Sequence, residues 1–161
     1  VTQHLETDFE KPRGVSRVET RSGFAQIHVM GLQEPLVESR LKVLQSVADH
    51  DISIDFLKFT PNGLSFLVPS GRSDDLERAL KAIGVTYTLE ADRSIVMVHA
   101  VNMRDEEGLI AGVMAVAINA GARLDHASDM HDRMLLVASA SDAERLVERF
   151  NSAYGESKVE R

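Results

Sequence analysis

The chain has 161 residues, 43% hydrophobic and 27% charged, the size and balance of one compact domain or of two small ones sharing a core. It contains no cysteine, which excludes disulfides, thiolate catalysis and cysteine-ligated metals. A formal net charge of −7, with 18 dispersed Lys and Arg, two Tyr, six Phe and no Trp, offers neither a basic footprint for phosphates nor a platform for stacked bases. No apolar run approaches the roughly 18 residues of a membrane span. The N-terminus lacks a basic start followed by an apolar stretch. The expectation is a soluble, cytoplasmic chain with no nucleic-acid or membrane partner.

In chain order, residues 1–14 read as a polar tail ending in the turn Lys11-Pro12-Arg13-Gly14. Residues 15–20 alternate Val15, Arg17 and Glu19 against Ser16, Val18 and Thr20, a short strand that Ser22-Gly23 closes with a turn. Residues 24–30 set Phe24, Gln26, His28 and Met30 on one face and Ala25, Ile27 and Val29 on the other, a strand buried on at least one side. In the helix that follows, Val37, Leu41, Leu44, Val47 and Ala48 fall on one stripe that must cover a sheet, with Glu38, Lys42, Gln45 and Asp49 outward. Residues 52–59 and 64–68 form a hairpin about Pro61-Asn62-Gly63. A second helix begins near Ser73-Asp74, with Asp74 and Glu77 in capping-box spacing. It buries Leu76, Ala79, Leu80 and Ile83 and stops at Gly84. Residues 85–90 close a β-α-β-β-α-β module, the ferredoxin-like order.

The second half repeats this order. Residues 93–101 are a strand, Ile110, Val113, Met114, Ala117 and Ile118 share a helix face, and Gly121 stops that helix. Residues 123–127 and 134–138 make a hairpin across the polar turn 128–132. Ser141 caps the last helix with Glu144 three residues on, and the apolar face is Ala143, Leu146, Val147 and Phe150. Ile54-Asp55 and Leu124-Asp125 close equivalent strands 70 residues apart, a spacing that fits two tandem modules. After Tyr154 only a polar tail remains, so the second module lacks its last strand, and the unused strand at 15–20 is available to supply it. The expected domains are 24–91, then 15–20 with 93–154, flanked by polar tails at 1–14 and 155–161. The fold class is α+β: two ferredoxin-like βαββαβ modules in tandem, with antiparallel sheets and helices on one face.

Two stretches carry a resemblance. Leu41 to Leu57, LKVLQSVADHDISIDFL, resembles the family run LADAGINVDMI, and Asn102-Met103-Arg104 with Gly108 resembles the family entry GMxSxPG. On these, and over nearly the whole length from Val15 to Tyr154, the chain resembles the tandem ACT-domain regulatory region of aspartokinases, with the kinase domain absent. The resemblance implies no enzymatic activity and no cofactor. It implies an amino-acid effector bound at ACT-ACT interfaces, homodimerisation through paired sheets, and an amino-acid biosynthetic enzyme as the partner that is regulated. It also implies a ligand-binding set of Ser53, Ile54 and Asp55 in the first module and Asn102, Met103, Glu107, Gly108, Leu109, Arg123 and Asp125 in the second. The sequence departs from the family at the first helix entry, where Val37-Glu38 replaces Pro-Gly, and at the second, where Glu107-Gly108 keeps only the glycine.

Each candidate has a plain reading beside the functional one. Asp55 either accepts an effector ammonium or bonds a neighbouring backbone turn. Arg123 either clamps a carboxylate or is an exposed strand charge. Asp125, His126, Asp129, His131 and Asp132 form the densest set of potential metal ligands, but the two histidines lack regular spacing. The set reads as a polar turn, so no metal site is assigned. His28 and His99 read as sheet-face residues. Three functions remain: an effector-binding regulator, a divergent subunit that only assembles, and a small metal-dependent enzyme built on residues 125–132.

Overall fold

The computed structural model describes residues 14–155, and the polar tails and the turn at 11–13 lie outside them apart from Gly14 and Gly155. Six strands and four helices run β1 (Val15–Met30), α1 (Leu36–Asp49), β2 (Asp55–Thr60), β3 (Gly63–Pro69), α2 (Ser73–Ala82), β4 (Thr86–Ala100), α3 (Leu109–Asn119), β5 (His126–Asp129), β6 (Arg133–Ser139) and α4 (Ala140–Tyr154). The chain divides into two compact units. One is Ser22–Ser94, and the other comprises residues 14–21 and 95–155 among those described. The fold is α+β, a tandem ferredoxin-like arrangement of antiparallel strands with helices.

In the unit Ser22–Ser94 the strands lie in the order β2-β3-β1-β4. β1 pairs antiparallel with β3 in the register Ala25↔Val68, Ile27↔Phe66 and Val29↔Leu64. These six residues face one way. They form a core with Val43 and Val47 of α1, Ile52, and Leu76 and Leu80 of α2, so both helices cover the same face of the sheet. The β2–β3 hairpin closes on Thr60↔Gly63. Position 63 has to be glycine for a packing reason: a Cβ there would stand 1.9 Å from the carbonyl oxygen of Val29.

In the other unit the order is β1-β4-β6-β5, the first half of β1 lying beside β4. The core gathers Val18 with Val96, Val98 and Ala100 of β4, Met134, Leu136 and Ala138 of β6, Val113 and Ala117 of α3, and Leu146 and Phe150 of α4. β5 and β6 pair from His126↔Val137 to Asp129↔Met134.

The structure corrects the sequence reading at several points. Ser22-Gly23 is no turn, because β1 runs unbroken from Val15 to Met30 with Gly23 at φ 86, an irregularity that a glycine absorbs without leaving the strand. Residues 85–90 and 93–101 are likewise one strand, β4. β2 starts only at Asp55, and its alternation breaks at a register shift between Asp55 and Lys58, with Phe56 at φ 54.

The burying face of α1 is Val43, Ser46 and Val47 with Leu36 and Leu44 partly covered, while Val37 at 77% and Leu41 at 62% relative exposure face outward. This helix carries two overlapping apolar stripes, and its periodicity alone does not choose between them. Arg40 settles on the buried flank, its guanidinium donating to the carbonyls of Gly63 and Thr60 and lying 5.0 Å from the Phe59 ring centre. On α3, Ile118 is exposed rather than buried. Asp74 caps nothing, because α2 is entered through a 3₁₀ turn at Ser70–Arg72. The cap of α4 is Ser139, whose hydroxyl accepts from the Asp142 amide at 3.1 Å, and Ser141 lies inside the helix.

Candidate functional site

The turn that leads from β4 into α3, residues 101–108, carries most of the candidates in its unit. Asn102 sits at φ 54, a left-handed conformation that asparagine tolerates, and its carbonyl accepts the amides of Asp105 and Glu106 at 3.0 and 3.2 Å. The chain therefore coils tightly before the helix begins. Met103 is fully buried in the core, and its amide donates to the His131 carbonyl at 2.9 Å. Gly108 precedes α3 at φ 77, and the Leu109 amide is taken by the Glu106 carbonyl at 3.3 Å. The first bond of the regular helical pattern is Gly112 to Gly108 at 2.9 Å. The amides of Ile110 and Ala111 therefore stand at the helix start ahead of that ladder. Glu107 is exposed there.

The turn is held against the β5–β6 hairpin. Arg104 donates to the Asp129 carboxylate at 3.0 Å, and the Ala100 amide donates to the Asp132 carbonyl at 3.0 Å. Between them the end of β4, the start of β1 and the hairpin turn frame a cleft of about 300 Å³, lined by Ser16, Arg17, His99, Asn102, His131 and Asp132 among others. At the cleft the buried His99 ring bonds Glu19 through Nε2 at 3.0 Å, and the second oxygen of Glu19 receives Arg17 at 2.9 Å. The His99 hydrogen bond, aided by Arg17, holds the Glu19 carboxyl below the usual carboxylate range. The Arg133 guanidinium does the same to Asp132, which it grips through both carboxylate oxygens at 3.0 and 2.9 Å.

The remaining candidates lie elsewhere. Arg123 and Asp125 precede β5, at the opposite end of that strand from the hairpin turn, with Arg123 Nε 3.5 Å from Asp125 Oδ1. The Asp125 side chain is 3% exposed and that of Arg123 76%. In the unit Ser22–Ser94, Ser53 and Asp55 are exposed, Ile54 packs against the core, and Asp55 opens β2 opposite Leu67. The structure thus brings Asn102, Met103, Glu107, Gly108 and Leu109 together in one turn and sets Arg123 and Asp125 apart from them.

Of the cluster at 125–132, Asp129 and Asp132 are engaged by arginines. No group of three or more potential metal-ligating side chains converges among the described residues. Among those residues no helix is long and apolar enough to cross a membrane. The reading of the sequence missed Ser16, Arg17 and Glu19 as neighbours of His99. They lie about 80 residues away in the chain, and no local spacing signals the encounter.

No protein-family model and no curated protein matches the chain. Solved structures do. The ligand-free regulatory subunit of aspartate kinase from Thermus thermophilus is similar with a TM-score of 0.78 at 20% identity, over 89% of this chain and 100% of that one. The regulatory subunit of aspartate kinase from Thermus flavus follows at 0.76 and 19%, over 88% and 99%. Aspartokinase III of E. coli, in complex with lysine and aspartate, matches at 0.71 and 16%, with 91% of this chain laid on 34% of that enzyme. At such identities the likeness is one of fold, and the two Thermus chains, matched over 100% and 99% of their lengths, are regulatory subunits.

Proposed function

We propose that the chain is a regulatory amino-acid-binding protein, an allosteric sensor of the aspartokinase regulatory-subunit type that performs no chemistry itself. The observation that carries this reading is the extent of the fold likeness, which spans the whole of a separately occurring regulatory subunit. The E. coli enzyme was seen with lysine and aspartate bound, which makes an amino acid the effector class to test first. In the second module the effector would lie by the turn 102–109, where Ile110 and Ala111 present amides ahead of the helical ladder and Glu107 offers a carboxylate to an ammonium group. Arg123 and Asp125 would serve a different part of that surface. Ser53, Ile54 and Asp55 are the corresponding group of the first module. Regulation follows from linkage: an effector that binds one packing of the protein more tightly than another shifts the population toward it, and a partner enzyme reads the shift.

Assembly is the second reading, in which the chain has lost its ligand and serves only to join a second copy or an enzyme. The outward apolar side chains Val37 and Leu41 on α1, and Leu57 and Phe59 on the edge strand β2, favour a homodimer under either reading.

Thermal unfolding against each standard amino acid at millimolar concentration separates the two readings. An effector held at about 100 times its dissociation constant stabilises the fold by about 2.7 kcal/mol, which moves the midpoint by several degrees. The sensor reading expects this shift with one or a few amino acids and its loss in Gly108→Val, where the positive φ strains any side chain. A midpoint indifferent to all of them leaves assembly as the function.

A further inference from the structure

The cleft beside the turn has an imbalance that the effector reading does not use. Its one carboxylate and three of its backbone carbonyls are engaged. Asp132 accepts from Arg133 through both carboxylate oxygens, and the backbone carbonyls of His99, His131 and Asp132 accept from Ser16 Oγ, the Met103 amide and the Ala100 amide. Its donors are largely unspent. Arg17 commits one nitrogen to Glu19, which leaves most of the guanidinium's five N–H groups open. The Asn102 side-chain amide and the His131 ring have no hydrogen-bond partner among the described residues.

The backbone around Asn102 and His131 is fixed, while the Arg17 and His131 side chains reach into solvent. Asn102 is held in its coiled turn, and His131 is tied through its carbonyl to Met103. Arg17 is oriented by a carboxylate that is itself anchored to the buried His99. A planar guanidinium so oriented matches a carboxylate in shape as well as charge. A volume of about 300 Å³ sits at the lower end of small-molecule sites and suits a compact organic acid.

We infer that this cleft is a binding site for a small carboxylate, received by the Arg17 guanidinium, the Asn102 amide and the His131 imidazole. The inference goes beyond the effector reading, with which it shares Asn102 and no other contact group. The same carboxylate chemistry is offered by a free amino acid and by a simple organic acid.

The test is an NMR titration of the ¹⁵N-labelled full chain with acetate, succinate and L-alanine at millimolar concentration, with inorganic phosphate as the competing anion. Saturable shifts at Ser16, Arg17, Asn102 and His131, weakened about tenfold in both Arg17→Gln and Asn102→Gly, support the site. Asn102→Gly keeps the left-handed backbone while deleting the amide, so a folding defect in the arginine variant does not decide the outcome. Saturation by succinate and acetate as well as L-alanine assigns a simple acid, and saturation by L-alanine alone assigns an amino acid. Phosphate binding as tightly as the carboxylates overturns the assignment. Shifts confined to residues 107–111 also overturn it, while leaving the effector reading standing. Saturable binding that both variants retain, or no saturable shift with any probe, overturns it outright.

Discussion

Glu19 and His99 stand 80 positions apart in the chain and 3.0 Å apart in the fold. The pairing accounts for the burial of the imidazole. An imidazole at 6% exposure needs a polar partner, and a carboxylate at a sheet surface gains one that is rigidly placed. The pair also sets an acid limit on the fold. The Glu19 pKa is lowered in the folded chain, chiefly by the His99 hydrogen bond, so below neutrality the unfolded chain binds the proton first. The contribution is complete above the unfolded carboxylate value and is lost as pH falls through the folded one. Denaturant titrations of Glu19→Gln should show lower stability than the parent at pH 7 and a flatter decline as pH falls through and below the ordinary carboxylate range. A variant with the parent's acid limb would mean that His99 and Glu19 are not coupled in solution.

At the scale of the element, two helices show what local pattern leaves open. α4 has serines at 139 and 141, each able to begin a helix by type. The hydroxyl that reaches an open amide is the one at 139, with Asp142 as its donor. Ser139→Ala should therefore cost about 1 kcal/mol in equilibrium unfolding, and Ser141→Ala a few tenths at most. Equal losses would put the cap elsewhere. α1 makes the complementary point. Seven apolar residues wind around it, and the sheet takes the stripe through Val43 and Val47, leaving Val37 and Leu41 in solvent.

For the whole molecule, that leftover stripe is the clearest sign of a partner. Val37 and Leu41 on α1 and Leu57 and Phe59 on the edge strand β2 are all large and exposed. The proposed homodimer gives a direct expectation. Sedimentation of the double variant Val37→Lys, Leu41→Glu should show monomers where the parent shows dimers, with an unchanged far-ultraviolet circular dichroism spectrum, since neither side chain supports the core. A monomeric parent, or a variant that still sediments as a dimer, would remove this surface from the interface.

The sequence alone determined the fold class and the number, order and type of the helices and hairpins, because apolar periodicities of 3.6 and 2 and the glycine stops are local signals read over ten or so residues. The repeat of Ile54-Asp55 at Leu124-Asp125 and the fold likeness to regulatory subunits belong to the same legible layer. It also placed the turn with Asn102 and Gly108 at a helix entry, since that glycine's conformational need is intrinsic. What it left open depends on contact between distant residues. Ser22-Gly23 has the composition of a turn and becomes the middle of a strand, one that has the 15-residue β4 as a neighbour in its sheet. Arg17, Glu19 and His99 meet only once the first half of β1 lies beside β4, and Arg123 and Asp125 separate from Gly108 only once β5 has a direction. Such pairings are long-range, and their energy resides in the assembled sheet rather than in any window of sequence.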